Sequence, residues 1–408
     1  MSGTVVRYTR DELVERSGVG LGFIEQLLRF GVLAPADDGT FDRSDVQRVR
    51  LLEACDRAGL DAETIGAAVS AGRLPLSFMD APQYRSWAEL GTETYGELAE
   101  RLGIPFEVIH ETSAALVNRR LEPDDVARED DESIYRLIGM VAALTDLDAM
   151  IRIGRVYVDG LRRVTEAENE LFQTYIVGGL MRSGLDFGEA LVQSADLGSE
   201  LAPLMERMVL TLYRRQQERG WTAGIVEGIE RAIEASGAPV GSAHPPAFVF
   251  IDLAGYTGVT DQEGDATGAR LARELSAMVE RIVADHAGTP VKWLGDGVMV
   301  HFRHPGRAVR ATLEMVEAAP TIGLPAHAGI AAGPVVMQDG DYFGRAVNLA
   351  SRISGAATAG QTLVTGAVVQ LNDDPGLSFR PIGPVELKGL SEPVEVFEAH
   401  SRHPRIAP

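Results

Sequence analysis

The chain has 408 residues, 38 basic and 59 acidic, giving a net charge of −21 on a composition 45% apolar and 24% charged. That balance excludes wholesale disorder, and the acidic excess repels nucleic acid and anionic membranes over most of the surface. One cysteine, Cys55, excludes an internal disulfide framework and a cysteine-rich zinc site.

No apolar run reaches the roughly 18–20 residues of a membrane span. Met1 to Ser17 carry charges where a signal peptide needs its apolar stretch, so a cytoplasmic protein is expected. In chain order, residues 1–75 come first. Thr9-Arg10-Asp11-Glu12-Leu13, Ser17-Gly18-Val19, Phe23-Ile24 and Leu27-Leu28 predict two short helices around a glycine-containing turn. The segment closes at Gly31-Val32-Leu33-Ala34-Pro35, with an Asp38-Gly39 turn and a longer helix from Ser44. In spacing and ending it resembles the winged-helix domain of the MerR family. DNA-binding members place arginines on the second helix and the wing, yet here those places hold Phe23-Ile24-Glu25-Gln26 and Asp37-Asp38-Gly39. Residues 1–50 carry seven basic and eight acidic side chains, so a degenerate module without DNA binding is expected.

Residues 86–235 show no strand alternation. Ile134, Leu137, Ile138 and Val141 step at helical spacing, as do Met150, Ile153 and the Val158–Leu161 stretch. A last helix is expected through Met205, Met208 and Leu212 toward Ile225, Ile229 and Ile233. An all-α regulatory region is the reading, with 236–246 as a linker rich in Gly, Ala and Pro. From residue 247 to 400 the pattern changes to short apolar strands alternating with helices. Strands are expected at 247–251, 291–294, 298–302, 327–331, 362–365 and 394–398, with helices at 267–286, 307–318 and 344–357. The order β-α-β-β-α-β predicts an α+β, ferredoxin-like sheet.

Three features of this last region carry chemistry. Asp252 closes an apolar strand, and Asp296 sits in the Gly295-Asp296-Gly297 turn of a tight hairpin. Each alone suits a strand-end cap or an ordinary Asp-Gly turn. Together, on adjacent strands, two carboxylates could clamp hard divalent cations for phosphoryl transfer. Farther on, Asn348 and Arg352 stand four apart on the expected 344–357 helix and share a face. That face suits a ribose and a phosphate, or simply solvent. Finally, only two of the 38 basic residues are lysines, Lys292 and Lys388. A compact, rotatable ammonium differs from arginine's planar fork, so positions requiring it would resist replacement.

Taken together, Ile251–Thr257, Lys292–Asp296, Asp341–Arg352 and Leu387-Lys388-Gly389 make residues 247–400 resemble the catalytic domain of the class III nucleotidyl cyclases. Both lysines fall inside these motifs. The resemblance implies an adenylyl cyclase converting ATP to 3′,5′-cyclic AMP and pyrophosphate. Asp252 and Asp296 would hold two divalent metal ions, Mg²⁺ or Mn²⁺. Lys292 and Asp341 would read adenine, Asn348 would orient the ribose, Arg352 would stabilise the transition state, and Lys388 would bind the terminal phosphates. It also implies a homodimer, with the aspartates from one subunit facing the other five residues from its partner. Two positions depart from the family: Pro334 stands where many members carry a phosphate-binding arginine, and Tyr256 replaces a commoner phenylalanine. The helical middle is similar to the regulatory domains of soluble bacterial class III cyclases. Two competing readings are a guanylyl cyclase and a transcription regulator with a cyclase-like nucleotide sensor. The Lys292/Asp341 pair argues against the first, and the retained aspartates and the lack of a basic recognition helix against the second.

Overall fold

The structure, a computed structural model, describes residues 6–85, 87–236 and 244–402. The chain divides into two compact units, Met1–Val226 and Glu227–Pro408.

In the first unit, Thr9 opens the helix Arg10–Ser17 with a reciprocal cap. Its hydroxyl accepts from the Glu12 N–H, and the Glu12 carboxylate accepts from the Thr9 N–H at 2.7 Å. Gly18, at φ +72°, ends that helix in the left-handed region, and Leu21–Arg29 follows as the second helix. The helix Arg43–Arg57 closes over both, burying Leu13, Ile24, Leu27, Val46, Val49 and Leu52 in one cluster. A second cluster forms around Tyr95, Leu98, Ile109, Leu121, Tyr135 and Ile138.

This region is not all-α, as the sequence suggested. Arg7–Tyr8 pairs with Phe41–Asp42, and Leu90–Thr94 pairs with Val126–Arg128, both antiparallel. Such ladders are too short to display a period-two pattern, and Gly91 interrupts the longer strand. Ile134, Leu137, Ile138 and Val141 do lie on one helix, Asp131–Ala142, but it buries Tyr135 and Ile138 and leaves Leu137 exposed. The helices Leu147–Glu170 and Phe187–Ala235 complete the helical part. Of the expected linker, residues 237–243 lie outside the described residues. Among the described residues no helix is long and apolar enough to cross a membrane.

The second unit is built on a seven-stranded sheet. Its elements are β1 (Ala247–Leu253), α1 (Tyr256–Glu263), α2 (Asp265–Asp285), β2 (Gly288–Trp293), β3 (Gly297–Phe302), α3 (Pro305–Ala318) and β4 (Ala326–Ala332). Next come the hairpin strands β5 (Val336–Gln338) and β6 (Asp341–Phe343), then α4 (Arg345–Ser354), β7 (Thr362–Thr365), α5 (Gly366–Gln370), β8 (Leu377–Val385) and β9 (Val394–Ser401). The spatial order is β8-β9-β7-β4-β1-β3-β2, with β5 and β6 forming a separate ladder. β4 and β7 run parallel; every other neighbouring pair in the sheet is antiparallel.

Central β1 reads Ala-Phe-Val-Phe-Ile-Asp-Leu, nearly continuous in apolar residues because both of its faces are covered. Ala247, Val249, Ile251 and Leu253 pack in one core with Leu275, Val279, Ile282, Val309 and Met315 of α2 and α3. Phe248 faces the other way, toward Ala346 and Ala350 of α4. Gly329 in β4 permits that docking, since a Cβ there would overlap the backbone of Ala350 and Ser354.

Sequence reading located β7 correctly and missed β8, whose Pro381 and Pro384 disguise a strand. Both prolines are tolerated because β8 lies at an edge of the sheet. β2 begins three residues earlier than expected, past Pro290, and it is the other edge. The β5–β6 hairpin was also missed, although Asp339 and Gly340, at φ +56° and +75°, form the kind of two-residue turn that Asp-Gly favours.

Candidate active site

Asp252 stands at the C-terminal end of β1, opposite Gly297 of β3 on one side and His327 of β4 on the other. The tight turn from β2 to β3 brings Asp296 beside it: the Leu253 N–H donates to the Asp296 carbonyl at 3.0 Å. Gly295 takes φ +86° within that turn. Gly297 is required for a different reason, because a Cβ there would collide with the Asp252 carboxylate. Ser354, at the end of α4, donates to Asp252 Oδ2 at 3.3 Å. Burial holds the Asp252 carboxyl above the ordinary carboxylate range, and the negative charge of Asp296 pushes the same way. His327 and the Ser354 hydrogen bond oppose the rise. Two hard oxygen donors whose charges repel each other fit a divalent cation. Two carboxylates leave most coordination positions to water and substrate phosphate, as Mg²⁺ prefers. Among the described residues no group of three or more His, Cys, Asp or Glu side chains is placed to hold a metal.

Lys292, on edge strand β2, reaches across to the hairpin: its Nζ donates to Asp341 Oδ2 at 3.0 Å. The other oxygen, Oδ1, accepts from the Tyr342 N–H at 2.9 Å. The Lys292 side chain is 56% exposed and that of Asp341 29%, so the pair lies open to a ligand.

A third group lines a cavity of about 420 Å³, where Asn348, Ser351 and Arg352 of α4 meet Glu386 and Lys388 of the loop after β8. The burial of Ala346, Ala350 and Ile353 turns Asn348 and Arg352 toward solvent, one above the other. Gly389, at φ +82°, bends the lysine loop against the Arg352 guanidinium. The structure therefore groups the seven residues singled out from sequence as a carboxylate pair, a lysine–aspartate pair and a mixed polar cavity. Ser354, His327 and Glu386 escaped sequence reading. Ser354 follows Arg352 by two positions on the helix, whereas His327 meets Asp252 only through β1–β4 register.

Against known proteins, residues 242–400 match the family described as the Adenylate and Guanylate cyclase catalytic domain. The second unit is thus a nucleotidyl cyclase catalytic domain. The chain is 29% identical over 313 residues to the pH-sensitive adenylate cyclase of Mycobacterium tuberculosis, covering 74% of this chain and 76% of that one. An uncharacterized protein of the same species is 28% identical over 361 residues, covering 87% and 90%. Among solved structures, the adenylyl cyclase CyaB from P. aeruginosa superposes with a TM-score of 0.36 and 24% identity, covering 40% of this chain and 97% of that one.

Proposed function

We propose the following account of how this catalytic domain works. The chain is an adenylyl cyclase, forming 3′,5′-cyclic AMP and pyrophosphate from ATP. The observation that carries this reading is the Lys292–Asp341 pair at 3.0 Å, a donor beside an acceptor at an open edge. Adenine presents the matching sequence: N1 accepts from lysine and the 6-amino group donates to aspartate. Guanine reverses both.

Asp252 and Asp296 would hold two divalent cations, Mg²⁺ or Mn²⁺. When bound, these ions neutralise triphosphate charge and acidify the ribose 3′-hydroxyl. Asn348 orients the ribose for attack on the α-phosphorus. Arg352 stabilises the charge that grows on the phosphoryl oxygens, an effect worth several kcal/mol where water is excluded. Lys388 holds the terminal phosphates, a task left to it by Pro334. We read the β4-β1-β3-β2 strands as a ferredoxin-like core. In this reading a two-fold homodimer completes two sites, the carboxylate pair of one copy facing the other two groups of its partner.

The N-terminal unit serves as the regulatory part of a cytoplasmic signalling enzyme in this reading, and residues 1–75 as a MerR-like module that no longer reads DNA. Several of its arginines are engaged internally. Arg43 pairs with Glu89 and Glu129, and Arg50 donates to the carbonyls of Arg16, Ser17 and Ala88.

The test is purified full-length protein with ATP or GTP and Mn²⁺, assayed for cyclic product. ATP should be strongly preferred. Lys292→Glu combined with Asp341→Cys should depress ATP use far more than GTP use, because mispaired polar groups cost about 1–3 kcal/mol each. A wild-type preference for GTP would overturn the reading.

A further inference from the structure

Base reading by Asp341 demands that its carboxylate be held in one orientation, yet its hairpin has little sheet of its own. β5 and β6 share three residue pairs and are not hydrogen-bonded into the seven-stranded sheet. A ladder that short is marginal by itself. Val336, Met337 and Phe343 are exposed on it. Tyr342 turns inward instead, onto aromatic residues of β1 and β3. Its ring lies parallel to the His301 imidazole, with centroids 5.0 Å apart and planes 9° from coplanar. The fully buried Phe248 tilts against both, at 5.1 Å from Tyr342 and 5.4 Å from His301. Phe248 and His301 are direct partners in the β1–β3 register, so the platform is fixed by the centre of the sheet.

We propose that His301 is a positioning residue for base selection: its imidazole seats the Tyr342 ring and, through the Tyr342 main chain, fixes Asp341 against Lys292. The chain of contacts is short. The Tyr342 N–H donates to Asp341 Oδ1, and Asp341 Oδ2 accepts from Lys292 Nζ. Lys292 is itself paired with Met299, two residues before His301 on β3. Both members of the base-reading pair therefore take their positions from the same strand, one through backbone pairing and the other through the aromatic stack. Burial, aided by the charge of Arg303, lowers the His301 pKa to about 4. At neutral pH the ring is uncharged, so it acts by shape and stacking, and another flat ring should replace it.

This inference rests on the reading of Asp341 as a base-recognition residue, and the experiment separates the two. Steady-state kinetics with ATP and with GTP would be measured on the full-length chain, wild type and variants. His301→Ala should raise KM for ATP by about tenfold, leave kcat within about threefold and erode the preference for ATP over GTP by about tenfold. His301→Phe should restore all three. Tyr342→Leu, which keeps an apolar side chain but removes the ring, should reproduce the alanine phenotype and guards against a His301→Ala protein that fails to fold. Wild-type selectivity in Tyr342→Leu, or a His301→Phe protein no better than His301→Ala, would overturn the proposal while Asp341→Ala still relaxes selectivity. If Asp341→Ala itself keeps the full preference for ATP, the base-reading assignment fails, and the role of His301 falls with it.

Discussion

The core of the catalytic unit and the two long helices of the N-terminal half handle apolar side chains in opposite ways. The catalytic unit encloses them: Val249, Ile251, Leu275, Val279, Val300 and Met315 are fully buried between the sheet and α2 and α3. The long helices of the N-terminal half display them. Tyr157, Leu161, Met208, Leu212, Trp221 and Ile225 are all exposed on Leu147–Glu170 and Phe187–Ala235. Monomeric proteins rarely expose contiguous apolar patches of more than a few hundred Å². One region therefore satisfies its own hydrophobic demand, and the other carries surface that a single copy leaves in water. The chemistry belongs to the first region and, in our reading, control belongs to the second.

The sharpest test of that division concerns the carboxylates, which sit on a finished core. Asp296→Ala should lower turnover by about 10²–10³-fold or more while leaving a cooperative unfolding transition, followed by cyclic AMP assay and circular dichroism. Arg352→Ala should be equally inactive. Mixing the two should recover about a quarter of wild-type activity after random exchange, because half the dimers are mixed and each has one intact site. No recovery, with mixed dimers shown to form, would contradict sites shared between subunits.

A smaller effect, informative about the helices, comes from deleting residues 1–240. The separate core of the catalytic unit predicts a folded product. Control by the N-terminal half predicts at least about a fivefold change in specific activity per assembled dimer, since donors displaced by about 0.5 Å lose their productive geometry. Kinetics equal to those of the full-length dimer between pH 5.5 and 8 would reduce the N-terminal half to an aid to association.

The smallest effect reads the strain at Asp252. Its carboxyl is raised in the folded state, first by burial and then by Asp296. A raised carboxylate favours folding while protonated, and that stability is lost as pH climbs through the folded-state pKa. At pH 7 without divalent cation, Asp252→Asn should therefore raise Tm by about 2–4 °C, while removing activity. The gap should close as pH falls and should narrow when Mn²⁺ stabilises the wild type. A lower Tm for Asp252→Asn in metal-free buffer would show that the carboxylate is not strained.

Local chemistry made much of the catalytic unit legible. The apolar run at Thr362–Thr365, the Gly-Asp-Gly turn and the two lysines needed no tertiary information. Contacts made by register or helix docking were hidden: His327 beside Asp252, Phe248 beside His301, and Ser354 reaching Asp252 across 102 positions. Prolines misled at β2 and β8, where an edge position removes the usual penalty. In the N-terminal half, helical periodicity located the helices correctly but implied buried faces. Leu137 and Ile225 show that an amphipathic stripe records what a helix can bury, which is not always within its own chain.

The prolines at both margins of the sheet have a further consequence for assembly. Pro290 lies on one outermost strand, and Pro381 and Pro384 on the other. Each lacks the amide hydrogen that a newly arriving strand would need, and the register shifts beside Pro290 and Pro381 disturb the flat ladder that such a strand would copy. Growth of this sheet by addition of a neighbour's strand is thereby blocked at both ends. In the homodimer we propose, two copies would meet through side chains on faces and helices, where a small rotation can make or break contacts without tearing main-chain hydrogen bonds. The same blocked margins protect the newly synthesised chain, at the high local concentrations of a polysome, from the edge-to-edge stacking that leads to fibrils.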